Sequence, residues 1–69
     1  MKLSARNMLQ GKVMEVKCGA TTAHVKIQLA GGATVTASIT NEAVDELQLK
    51  SGDSAYAVIK ASDVMVAKD

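Results

Sequence analysis

The sequence predicts an all-β fold with one short helix, arranged as a small five-stranded OB-like barrel. Three observations carry this. Apolar and polar residues alternate in successive short segments, the period of a half-buried strand, and Gly31-Gly32 separates two of these segments. One helical stretch with its own capping residue then interrupts the strands after the third. The chain has no proline, low-complexity tract or linker, so residues 1–69 read as a single domain.

The first strand spans Gly11 to Cys18, with Met14, Val16 and Cys18 on one face and Glu15 and Lys17 on the other; Gly19 closes it. In the second, Ala23, Val25, Ile27 and Leu29 alternate with His24, Lys26 and Gln28. Gly31-Gly32 supplies a hairpin turn that needs positive φ, and the return strand, Thr34 to Ile39, sets Val35, Ala37 and Ile39 against Thr34, Thr36 and Ser38. Thr40 follows as the N-cap of a helix running to about Leu47, with Ala43, Val44 and Leu47 able to face inward. Ser51-Gly52-Asp53 ends this region. A fourth strand covers about Ser54 to Ile59 and a fifth about Asp63 to Val66, with Lys60-Ala61-Ser62 between them.

Hydrophobic residues make up 48% of the chain, yet Tyr56 is the only aromatic, so the core must be assembled from small aliphatic groups and is marginal at this length. Domains this short usually rely on disulfides, a metal or oligomerisation. Cys18 is the only cysteine and His24 the only histidine, so neither an intrachain disulfide nor a Cys/His zinc set can form, and oligomerisation remains. A net charge of +1 gives no broad electrostatic footprint for nucleic acid. No apolar run reaches signal-peptide or membrane-spanning length, which makes the cytoplasm the expected compartment and a membrane partner unexpected.

Catalysis finds little in the sequence. A nucleophile needs a base beside it, and His24 reads as a solvated strand residue while Cys18 reads as a small buried hydrophobe. Hydrogen-bond donors, by contrast, gather outside the alternating pattern, in Ser4-Ala5-Arg6-Asn7, in Thr40 with the helix start, and in Lys60-Ala61-Ser62. Together they would suit a dianion. Each also has an ordinary explanation: Ser4 can start a strand, Arg6 can be a surface charge, Thr40 can simply cap, and Lys60 can be a solvated turn residue.

The opening Met1-Lys2-Leu3-Ser4-Ala5-Arg6-Asn7, followed by Leu9 and Gly11-Lys12-Val13, resembles the start of the molbindins, or Mop proteins, single domains of the TOBE type. The resemblance continues through the hairpin, Ser38-Ile39-Thr40, the Gly52-Asp53 turn and Ala57-Val58-Ile59-Lys60-Ala61-Ser62, and so covers essentially the whole chain. It implies cytoplasmic storage or buffering of molybdate and tungstate, without a cofactor or directly ligated metal cation. It also implies a hexamer, a trimer of dimers, with oxyanion sites between subunits. By this resemblance Ser4, Ala5 and Arg6 of one subunit would meet Thr40, the Ala43 region, Lys60, Ala61 and Ser62 of another. A second class of site would lie on the turn Gly19, Ala20, Thr21, Thr22. Related sensors carry serine near the position of Ala43, so a backbone amide would have to substitute for that hydroxyl here.

The chemistry agrees with the resemblance. Molybdate near neutral pH offers only acceptor oxygens, so a matching pocket holds donors and no ionised carboxylate. Glu42 and Asp63 flank the expected site and would have to point away. A competing reading, an OB-like module for single-stranded nucleic acid or a protein partner, needs stacking aromatics that the chain lacks apart from Tyr56. A third, a purely structural oligomer, needs no convergent donors.

Overall fold

A computed structural model describes residues 2–69; Met1, part of the opening motif, lies outside the described residues. Four antiparallel strands form one sheet in the order β3-β2-β1-β4, where β1 is Asn7–Cys18, β2 Thr22–Leu29, β3 Thr34–Thr40 and β4 Ser54–Ile59. A helix, α1 (Asn41–Leu47), joins β3 to β4, and a 3-10 turn, Ala61–Asp63, follows β4. The first three strands make the expected meander.

β1 carries the architecture because it pairs with two strands along different stretches. It meets β4 from Asn7 to Lys12 and β2 from Gly11 to Cys18, so that only Gly11 and Lys12 are shared. At this joint the strands approach so closely that a Cβ on Gly11 would lie 2.6 Å from the Gln28 carbonyl oxygen and 2.7 Å from Ile27 Cγ2. The sheet curls into a half-barrel, and residues of β3 and β4, at opposite edges, line one concave apolar hollow of about 480 Å³.

Inside the curl, Val13, Ala23, Val25, Ile27, Val44 and Ala57 form the core. The alternation of β2 is therefore as the sequence predicts. That of β1 is not, because a β-bulge shifts the register between Val13 and Glu15. Val13 is fully buried, Met14 is 48% exposed, and Val16 packs against the core. Cys18, expected to be buried, is exposed. The turn before the start of β4 continues the bonding of β1: Val13 N–H donates to the Asp53 carbonyl at 2.8 Å, Gly52 N–H to the Val13 carbonyl at 2.8 Å, and the Ser51 hydroxyl to the Met14 carbonyl at 3.0 Å.

The β2–β3 hairpin turns through Gly31 and Gly32 at φ 93° and 97°, a region that side chains disfavour. α1 begins as expected, with Thr40 Oγ1 accepting the Ala43 amide at 3.0 Å, and it packs through the buried Val44. Leu47, expected to face inward, is 64% exposed at the lip of the hollow. The fifth strand is a further correction. The chain after β4 closes a 3-10 turn, and Val64, Met65 and Val66 carry no strand pairing and are 50%, 93% and 92% exposed. An apolar segment becomes a strand only by pairing with a sheet edge, and among the described residues Val64–Val66 pair with none.

Candidate functional site

Two polar clusters form at opposite ends of β1. At its start, the last register pair with β4 is Asn7 with Ile59, so Ser4-Ala5-Arg6 and Lys60-Ala61-Ser62 leave the ladder side by side. Asn7 fastens this end, its Nδ2 donating to the Ile59 carbonyl at 3.2 Å. Lys60 is the N-cap of the 3-10 turn but makes no side-chain capping bond, and the Asp63 amide closes the turn on the Lys60 carbonyl at 2.9 Å. The amides of Ala61 and Ser62 therefore stand at an uncapped turn start, beside two cations. Among the described residues the only ion pair is Lys26 with Glu15, at 3.5 Å, so neither Arg6 nor Lys60 is neutralised by a carboxylate within that reach.

Asp63 is exposed and shares the turn with Ala61 and Ser62. It is the one carboxylate on this cluster's own backbone. Ser4, Arg6, Lys60, Ala61 and Ser62 are exposed, and Ala5 is half-buried.

The other end brings Thr40 and Ala43 to the Gly19–Thr22 turn, because Thr22 is the register partner of Thr40. Here the polar groups are largely committed. The Ala43 amide, expected to replace a missing hydroxyl, already donates to Thr40 Oγ1; the Thr40 O–H remains able to donate outward. Asn41 makes two further bonds, its amide to the Thr21 carbonyl at 2.9 Å and its Nδ2 to the Gly19 carbonyl at 2.9 Å. The Gly19 amide closes the turn on the Thr22 carbonyl at 2.7 Å. Glu42 is exposed in the first turn of α1.

Of the residues expected to share one site, the structure thus brings Ser4, Ala5, Arg6, Lys60, Ala61 and Ser62 to one end of β1, and Thr40 and Ala43 to the other. Arg6 and Lys60, expected on different subunits, are neighbours within one chain by register. The 12 residues of β1 separate the clusters, a contour of about 35–40 Å if fully extended.

Sequence reading singled out neither Asn7 nor Asn41 for the bonds they make. The available signal was weak: asparagine is a poor helix former but a ready donor to nearby carbonyls, which is its use at the first position of α1.

Comparison with known proteins agrees with this architecture. The model of the TOBE domain matches residues 3–66. The chain is 47% identical over 66 residues to molybdenum-pterin-binding protein 3 of Clostridium pasteurianum, covering 96% of this chain and 97% of that one. The solved structure of a molybdate binding protein from Sporomusa ovata superposes with a TM-score of 0.93 at 35% identity, covering 99% of this chain and all of that one. A crystal structure of the cytoplasmic molybdate-binding protein ModG with molybdate bound gives a TM-score of 0.91 at 52% identity, covering 94% of this chain and 46% of that one. With a TOBE match across nearly its whole length and full-length relatives of the same small size, the chain belongs to the TOBE domain family and, within it, to the molbindin (Mop) group.

Proposed function

We propose that this protein binds molybdate or tungstate and acts as a cytoplasmic store or buffer, without catalysis or a cofactor, at sites shared between subunits of a homo-oligomer. The carrying observation is the placement of donors. Arg6 and Lys60 stand together with the serines and the uncapped 3-10 turn, while the Thr40 hydroxyl stands at the far end of β1. A tetrahedral dianion spans only a few ångströms, so a site using both clusters takes one from each of two copies. This keeps the shared site but moves its seam, which runs between the Arg6–Lys60 cluster and Thr40 with Ala43.

The uncovered apolar surface supports assembly. The concave hollow of about 480 Å³ is open along Leu47, Tyr56 and Val58, and Val64, Met65 and Val66 project unpaired. A hexamer built as a trimer of dimers is the assembly the family resemblance favours. The relatives support the ligand, since ModG is described with molybdate bound and the Sporomusa protein as molybdate binding. Residues 1–69 act in this reading as one domain.

Calorimetric titration of the anion-free protein tests the function. Molybdate and tungstate should bind, and phosphate should not compete, because near pH 7 phosphate carries a proton that asks for an acceptor in a pocket made of donors. Equal competition by phosphate would place an acceptor, Asp63 or Glu42, inside the pocket and overturn the donor-only site. Sedimentation of the same sample at micromolar concentration should show an oligomer; a well-folded monomer that still bound molybdate tightly would overturn the shared site.

A further inference from the structure

The last rung between β1 and β4 is Asn7 with Ile59, and two cations stand one residue beyond it, Arg6 before Asn7 and Lys60 after Ile59. A ladder is weakest at its ends, where rungs open at little cost. Here that cost falls further, because Arg6 and Lys60 carry like charges and, among the described residues, neither has a carboxylate within ion-pair reach. The chain's own charges therefore work to part the two strands at the point where a dianion needs both cations together.

One side chain opposes this opening. From a half-buried position, Asn7 Nδ2 donates to the Ile59 carbonyl at 3.2 Å, a bond between residues 52 apart in sequence. It joins the residue that follows Arg6 to the residue that precedes Lys60. A trans peptide is planar, so holding the Ile59 carbonyl also fixes the direction of the Lys60 amide in the same unit. The next unit is held too, since the Lys60 carbonyl accepts from the Asp63 amide at 2.9 Å. Both peptide units that flank Lys60 are thus pinned, while its side chain makes no capping bond and stays free for a ligand. The first of these pins is a side chain, which a substitution removes without touching either cation.

We infer that Asn7 is a positioning residue of the Arg6–Lys60 cluster: it clamps the end of the β1–β4 ladder against the repulsion of the two cations and sets their spacing for one tetrahedral dianion. The inference rests on the oxyanion-binding reading above and deepens it, since Asn7 acts on the anion only through Arg6 and Lys60. Charges spaced before the ligand arrives need no ordering when it binds, and affinity gains by that saving.

Molybdate titration of the full chain, with Asn7→Ala alone and in an Arg6→Ala background, tests it. In the otherwise wild-type protein Asn7→Ala should weaken binding by about tenfold, the loss of one hydrogen bond and of the spacing it sets. In the Arg6→Ala protein the same substitution should cost about twofold or less, because with one cation gone there is no spacing left to set. Without ligand, Asn7→Ala should lower the backbone order parameter of Lys60 from the rigid range, about 0.85, towards about 0.6. High salt, which screens the repulsion, should restore part of that order. Should Asn7→Ala fail to fold, Asn7→Thr takes its place, a side chain that suits a strand but is too short to reach the Ile59 carbonyl. Unchanged affinity overturns the role of Asn7. An equal loss in both backgrounds also overturns it and makes the bond a general support of the fold. A loss of affinity with Lys60 as rigid as in the wild type overturns it in favour of direct contact between Asn7 and the anion. These three outcomes leave the oxyanion reading standing, whereas a wild type that binds neither molybdate nor tungstate overturns that reading and this role with it.

Discussion

The two ends of β1 differ in how far their polar groups have already found partners. At the Cys18 end Thr40 caps α1, Asn41 ties the Gly19–Thr22 turn with two hydrogen bonds, and the turn closes on itself. At the Asn7 end, among the described residues, a single side-chain bond, Asn7 to Ile59, fastens the strands, and Arg6 and Lys60 project without carboxylate partners. One end is finished by the chain's own folding. The other holds donors whose desolvation would be costly without an acceptor, so its order depends on what it meets.

The largest expected effect tests this contrast. Arg6→Ala or Lys60→Ala should each weaken molybdate binding by roughly 10-fold to 150-fold, the 1.5–3 kcal/mol of a hydrogen bond to a charged group. Melting temperature without ligand should barely change. If Arg6 and Lys60, which the register sets at the same end of β1, serve the same site, unfolding and reassembling the two variants together should restore no site, whereas mixing Arg6→Ala with Thr40→Ala should restore some. Recovery in the Arg6–Lys60 mixture, with subunit exchange confirmed by mass spectrometry, would put the seam between those two residues and break the comparison.

Gly11 joins the two ends, since it pairs with Leu29 on one side and Ala55 on the other. Gly11→Ala forces a Cβ to within 2.6 Å of a backbone oxygen, and overpacking of this kind costs about 1–3 kcal/mol. Denaturant unfolding should show that loss; an unchanged midpoint would mean the strands can part at the joint.

The smallest effect sharpens the finished end. Thr40→Ala removes the N-cap bond to Ala43 and should cost about 1 kcal/mol, with Thr40→Ser retaining most of it. If Thr40→Ala lowered molybdate affinity by about tenfold and Thr40→Ser did not, the hydroxyl would be a ligand as well as a cap. A loss of stability with no loss of affinity would confine it to capping.

β2, β3, β4 and the start of α1 were legible in the sequence because each has a clean period or an unambiguous cap. β1 was legible only in part. Its first residues, Asn7 to Gln10, mix exposed Met8 and Leu9 with polar neighbours, so no period marks them as strand. The bulge then reverses the phase, hiding Val13 and displaying Met14. Val64-Met65-Val66 has the composition of a strand, but composition does not say whether a sheet edge lies beside a segment, and none of the described strands pairs with this one. The candidate site residues were identifiable as donors by type, and their grouping came from the family resemblance. Which of them stand together depends on strand register, which residue types do not encode.

The fastening of Val13 to Gly52 and Asp53 has a bearing on how this chain can be altered in length. A residue added to or removed from the turn before β4 would misalign two 2.8 Å backbone bonds at the middle of the sheet, so that turn is fixed in size. The Gly31-Gly32 hairpin is closed by two backbone bonds of its own, Leu29 N–H to the Ala33 carbonyl at 2.7 Å and Gly32 N–H to the Leu29 carbonyl at 3.0 Å, but these lie at the tip of β2 and β3 and nothing lies within 4 Å of where a side chain would begin at either glycine. A peptide tag, a fluorophore-bearing loop or new chain termini would therefore disturb only the hairpin tip at Gly31-Gly32, leaving the pairing at both ends of β1 intact.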